Sequence, residues 1–171
     1  MRHVVLLTVL LATMVVGGCK VALQPSNIQH VPASDVDQKA PAALQDMTVH
    51  PPRAFLVKSE EDWKRLWGSA QAPKVNFQKN MVFVAFDSIN SGGPGTMEIW
   101  VLKYLEEDAQ MLVRVKESLS GEWTIGAGYS RAYDVVALPR TDKPVKVQWE
   151  YEWGTRKETR ELDAEEWAPA Q

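Results

Sequence analysis

Apolar and polar residues alternate most cleanly near the C-terminal end of the chain. Val145, Val147, Trp149, Tyr151 and Trp153 are separated by Lys146, Gln148, Glu150 and Glu152. Successive side chains of a strand leave on opposite faces, so this period of two predicts a strand with one buried face. Pro144 stands at the first position, where a strand tolerates a missing N–H. Met111, Val113 and Val115 fall on one face of a second alternating segment, residues 110–117, and residues 96–104 read as another strand. Residues 81–87 (MVFVAFD) are almost continuously apolar, as a central strand covered on both faces requires. Residues 133–138 are apolar again, ahead of a turn enclosed by Pro139 and Pro144, and Phe55, Leu56 and Val57 predict a short early strand over residues 53–58.

A helical period occurs once with its start and stop signals. Ser59 suits an N-cap, with Asp62 in the capping-box position, and Gly68 suits the stop. Between them Trp63, Leu66 and Trp67 are spaced i, i+3, i+4 and share a face. Two turns are marginal alone, so packing must hold this helix. Residues 163–167 read as a last helical turn. Together these elements predict a mainly β domain with one short N-terminal helix (α+β), built as an antiparallel sandwich or an open barrel.

Neither period is sustained before residue 53. Arg2 is followed by residues 4–16, apolar except for Thr8 and Thr13, and then by Val16-Gly17-Gly18-Cys19. A short apolar run behind a positive residue, closed by small residues, is a secretory signal and falls short of a span. Its end resembles the lipobox of bacterial lipoproteins. That resemblance implies a diacylglycerol thioether on Cys19, cleavage before it and attachment to a membrane through the lipid. Lys20 in the following position goes with outer-membrane sorting if the cell is Gram-negative. The chain then divides into a signal peptide (1–18), a disordered tether (19–52), the β domain (53–153) and a C-terminal extension (154–171). The tether holds Pro25, Pro32, Pro41, Pro51 and Pro52, half of the 10 prolines, and its neighbours His30 and His50 read as solvated.

Composition narrows the chemistry. A length of 171 residues with 45% hydrophobic and 24% charged residues is that of one globular domain. Arg2 is the one charge within residues 1–18, so the exported part keeps 18 of the 19 basic side chains against 22 acidic ones, a net charge of −4. This gives no footprint for a phosphate backbone, and nucleic acid is not an expected partner. One cysteine excludes an internal disulfide and a thiolate zinc site. No histidine or cysteine follows residue 53, which removes Ser–His, Cys–His and zinc-hydrolase schemes from the domain. No metal or cofactor is implied, and no catalytic residue is assigned. Glu106, Glu107 and Asp108 fall in a turn where acids are commonplace. A carboxylate enzyme would need two acids converging in a concave pocket.

Two glycine-containing segments remain. Residues 88–95 (SINSGGPG) lack the helix and lysine of a phosphate loop. They read first as a long β connection needing positive φ, and second as a recognition loop carrying Asn90, Ser91, Gly92, Gly93, Pro94 and Gly95. Residues 121–133 carry Trp123, Tyr129, Arg131 and Tyr133, the residue types that anchor interfaces. Taken singly, each aromatic fits core packing better than a contact surface. Trp100 and Trp149 read as core.

In order and spacing, several of these pieces resemble the PrcB C-terminal domain family, named for a lipoprotein subunit of a bacterial surface protease complex. They are Val57-Lys58-Ser59-Glu60-Glu61-Asp62-Trp63 with Leu66-Trp67, then residues 75–82 (VNFQKNMV), Ser91-Gly92-Gly93 before Met97-Glu98-Ile99, and residues 133–140 (YDVVALPR) with Pro144-Val145. Pro94-Gly95 replaces the aromatic that usually follows the family's Gly-Gly pair, and Ala132 replaces a frequent Pro. The resemblance implies a non-catalytic protein-binding module, a subunit or regulator of an exported protease complex. The alternatives are a structural envelope lipoprotein without a protease partner, and a carboxylate-dependent hydrolase. Replacing Cys19 by Ala is expected to abolish palmitate incorporation and to release the protein from the membrane fraction. Undiminished labelling of that variant would overturn the lipid assignment.

Overall fold

The computed structural model describes residues 28–30, 42–45, 52–68, 72–91, 95–121 and 128–168, and most of them lie in strands. In chain order the elements are β1 (Gln29–His30), α1 (Ala42–Gln45), β2 (Arg53–Val57), α2 (Glu60–Trp67), β3 (Asn80–Ser91), β4 (Thr96–Glu106), β5 (Met111–Ser120), β6 (Gly128–Pro139), β7 (Val145–Trp153), β8 (Arg156–Asp163) and β9 (Glu165–Glu166). They form two sheets, β1-β6-β3-β2-β9 and β4-β5-β7-β8. The fold is a β-rich α+β sandwich, not a closed barrel.

The sheets are mixed where a purely antiparallel arrangement is expected. β5 pairs with β7 in parallel, and β2 with β9. For β5 and β7 the cause is β6, which crosses to the first sheet between them. A chain that leaves a sheet and returns after one such crossing re-enters in the same direction.

β3 has both faces covered, which explains its continuous apolar run. Met81, Phe83 and Ala85 point between the sheets, against Val113 and Val115 of β5 and Val147 and Trp149 of β7. Val82, Val84 and Phe86 point to the other side, under Trp63 and Leu66 of α2 with Leu44 and Trp167. α2 has the predicted ends. The Ser59 hydroxyl accepts from the Asp62 N–H at 3.1 Å, and Gly68 (φ 75°) donates its N–H to the Lys64 carbonyl at 2.9 Å. Trp67 is half-buried, with its ring 4.9 Å from that of Trp63.

Three expectations are corrected. The domain does not stop at residue 153. Gly154 (φ 55°) turns the chain into β8, which pairs with β7 from Lys146↔Asp163 to Trp153↔Arg156. Residues 163–167 are not helical: β9 joins the first sheet, the Trp167 N–H donates to the Leu56 carbonyl at 2.9 Å, and the indole closes the second core. β8 was hidden because charged residues occupy both of its faces (RKETRELD), so no apolar period marks it. Second, two short pieces of the expected tether belong to the fold. β1 pairs with Val136 and Ala137 of β6, and Leu44 of α1 is fully buried in the second core. Isolated anchors such as Ile28 and Leu44 make no periodic signal. Third, Trp100 is 39% exposed, because Met97, Ile99 and Val101 take the inward positions of β4.

Trp167→Ala should lower the unfolding free energy by about 3 kcal/mol, the cost of emptying a large core site. Denaturant unfolding that shows less than about 0.5 kcal/mol would contradict the inclusion of residues 154–168 in the domain.

Candidate functional site

Between the sheets the core changes character toward one end. Three cross-strand rows follow one another along the inner face of the second sheet. Val115, Trp149 and Arg160 form the first, Glu117, Tyr151 and Glu158 the second, and Leu119, Trp153 and Arg156 the third. The inward position thus passes from apolar to charged as β8 supplies its arginines. The last two rows and Arg160 enclose a cleft of about 210 Å³. Trp153, 47% exposed, stands at its rim. The Arg160 guanidinium lies 5.0 Å above the Tyr151 ring and donates to Glu158 at 2.7 Å, while Arg156 reaches the same carboxylate at 3.3 Å. The hydrogen bond from Arg160, joined by both arginine charges, holds the Glu158 carboxyl below the usual range.

Glu117 on the cleft wall meets Asp87 from β3 of the facing sheet. Both are buried, at 2% and 1% exposure, and their carboxyls share a hydrogen bond. The Trp149 indole N–H donates to Glu117 at 2.9 Å, and the Ser88 N–H donates to Asp87 at 2.7 Å. Burial pushes Asp87 up to about 7, against the opposing effects of the Ser88 N–H, the Glu117 hydrogen bond and the Arg160 charge. Two adjacent buried carboxyls cannot both ionise cheaply, so one of them keeps its proton up to about pH 7. The Tyr151 hydroxyl oxygen is buried and has no hydrogen-bond partner. Burial first, then the neighbouring Glu117 and Asp87 charges, raise its pKa and keep it neutral.

The pair does not match glycosidase geometry. That chemistry needs carboxyls at least ~5 Å apart with a sugar between them, and here the two acids touch. Among the described residues no group of three or more His, Cys, Asp or Glu side chains is placed to hold a metal.

No protein-family model, curated protein or solved structure matches this chain.

Asn90 and Ser91 are the last residues of β3, paired with Tyr129 and Gly128 of β6, and Arg131 pairs with Ser88. The side chains of Asn90, Ser91, Tyr129 and Arg131 lie outside the described residues, as do Cys19, Gly92, Gly93, Pro94 and Trp123. Gly95 leads into β4, half-buried. Tyr133, a candidate for the contact loop that taken singly fits core packing better, takes the core position. It sits well inside β6 opposite Phe86 and packs half-buried against the core under α2, and burial raises its hydroxyl pKa. Ser91 faces Gly128 and Thr96 faces Ser120, so the 92–94 and 122–127 connections leave from one end of the sandwich. Leu119 faces Trp153 at that same end. The cleft therefore lies at the end of the sandwich where β3 and β5 finish and β4 and β6 begin.

Asp87, Glu117, Arg156, Glu158 and Arg160 are absent from the sequence-based candidates. One signal existed. Glu117 occupies an apolar-face position of MLVRVKESL, and Asp87 holds the inward parity of MVFVAFD.

The Asp87 pKa in the folded state lies above its ordinary value of 3.8, so folding favours the protonated acid. Its stabilisation is fully present below about pH 4 and is lost as pH rises towards about 7. Asp87→Asn keeps the shape and cannot ionise. Its melting temperature relative to wild type should therefore rise steadily over that window and level off above it. A difference that does not change with pH would refute the shared proton.

Proposed function

We propose that this chain is a lipid-anchored, non-catalytic binding module of the cell envelope. It engages a protein partner at the end of the sandwich where the two glycine-containing connections adjoin the cleft. The observation that carries this reading is the register of three strand pairs, Ser91↔Gly128, Thr96↔Ser120 and Leu119↔Trp153. It brings the strand ends that flank both connections to the end that carries Trp153, Arg156 and Arg160.

The chemistry of that end supports recognition. Tryptophan, tyrosine and arginine supply large contact areas and directional hydrogen bonds for few rotatable bonds. Arg160 and Arg156 are held by Glu158 and Trp153 is fixed within a strand, so little order has to be imposed on binding. The acid pair is hydrogen-bonded and shielded, which supports a structural role for it and not general acid–base work. Among the described residues no helix is long and apolar enough to cross a membrane; in this reading attachment is through acylated Cys19, at the outer membrane if the cell is Gram-negative. The resemblance to PrcB-type domains makes an exported protease the first partner to seek.

Trp153→Ala/Arg156→Ala truncates two exposed cleft residues without emptying the core. Loss of two interface anchors corresponds to a fall of about ten-fold or more in partner recovery after cross-linking and detergent extraction, with the melting temperature unchanged. Recovery of the same envelope proteins at wild-type yield would remove the cleft from the interface.

A further inference from the structure

The second sheet carries an apolar feature that the binding end does not use. Trp100 and Leu102 are 39% and 48% exposed on β4, which among the described residues is an edge strand of that sheet. They flank Val101, whose edge-facing N–H is taken by the Asp134 carboxylate of β6 at 2.7 Å. The pairing register shifts between Val101 and Lys103, so Leu102 sits in a bulge that breaks the edge as a template for another strand. The positions beside them are cationic. Trp100 faces Lys116, which is itself bridged to Glu152 at 2.5 Å, and Lys103 faces Arg114. Glu98 is the nearby acid on β4.

The first described residues, Ile28 to His30, lie beside β6, the strand that supplies Asp134 to β4. β1 pairs with β6 at Val136 and Ala137. Val136 is two residues from Asp134, or about 7 Å along the strand. Residues 20–28 separate Cys19 from β1, and nine residues reach at most about 30 Å even when fully extended. The lipid attachment point therefore lies within about 30 Å of Gln29.

We propose that the β4 edge, at Trp100 and Leu102, rests on the bilayer that holds Cys19. This inference depends on the reading of Cys19 as the anchor. An indole and a leucine flanked by cationic side chains match the interfacial region of a membrane with anionic lipid. Two side chains bind weakly when free, but an anchor on the same chain, tied to β1 by a segment of about 30 Å at most, converts the contact into an intramolecular one at high effective concentration. The resulting orientation is specific. β8, which supplies Arg156, Glu158 and Arg160 to the cleft, is the opposite edge of the same sheet. The binding end then stays open to solution while the domain lies on β4.

The test uses the acylated full-length protein, reconstituted in vesicles of phosphatidylethanolamine and phosphatidylglycerol. An environment-sensitive dye is placed at Leu102→Cys or, as control, at Thr159→Cys on β8; the Cys19 sulfur is occupied by its thioether. Brominated acyl chains should quench the dye at position 102 several-fold more than at 159, and adding Trp100→Gln should reduce that quenching. Equal quenching at both positions, or none, with palmitate labelling of Cys19 intact, overturns the membrane contact and leaves the anchor standing. Self-quenching at 102 without quenching by lipid assigns the edge to a second copy of the chain and likewise overturns it. Absence of palmitate label overturns anchor and contact together.

Discussion

Residues 81–88 of β3 are buried on both faces, and a strand in that position needs two separate covers. The second sheet is one. The other is assembled from α2, Leu44 and Trp167, three parts of the chain far apart in sequence. A short helix gains its stability from such packing and not from its own hydrogen bonds. The Ser59 and Gly68 caps only fix where it begins and ends. Placing the second cover also determines the path of the C-terminus, because Trp167 reaches its site only if the chain leaves β8 and crosses to the first sheet as β9. The parallel β2–β9 pair follows from that route.

The first cover, the second sheet, is not apolar throughout. Where β3 ends, Asp87 and Glu117 replace hydrophobic side chains at inward positions, and such burial is costly unless the acids are hydrogen-bonded. The sandwich meets that requirement with the Trp149 indole, the Ser88 N–H and a proton between the carboxyls. Beyond the pair the sheets no longer need to exclude water, and arginines and aromatics can share the inner face. The same transition thus closes the core and opens the cleft. It also separates two roles along the second sheet, with β8 serving the cleft and β4 carrying the exposed Trp100 and Leu102.

The edges show how the sandwich avoids open-ended pairing. Asp134 occupies a free N–H of β4, the bulge at Leu102 interrupts its register, and the two-residue strands β1 and β9 end the first sheet. Short or interrupted edges leave little backbone for another chain to extend. The parts of the chain that protect the first sheet, β1 and β9, are those with the weakest patterns in the sequence.

Local pattern by itself determined the strands whose two faces differ in polarity, such as β5 and β7, the both-sided burial of β3, and the caps of α2, because each depends on neighbours within a few residues. It also marked Cys19 as the only thiol and left the residues after 53 without histidine. Tertiary structure alone decided the rest. β8 has charges on both faces and is a strand only because β7 pairs with it. Trp100 follows the parity of β4, and which parity faces inward depends on where the other sheet lies. Asp87 and Glu117 are thirty positions apart in sequence and become a pair only when two sheets face each other. Contacts between distant segments leave no periodic trace in either segment, and the cleft is made entirely of such contacts.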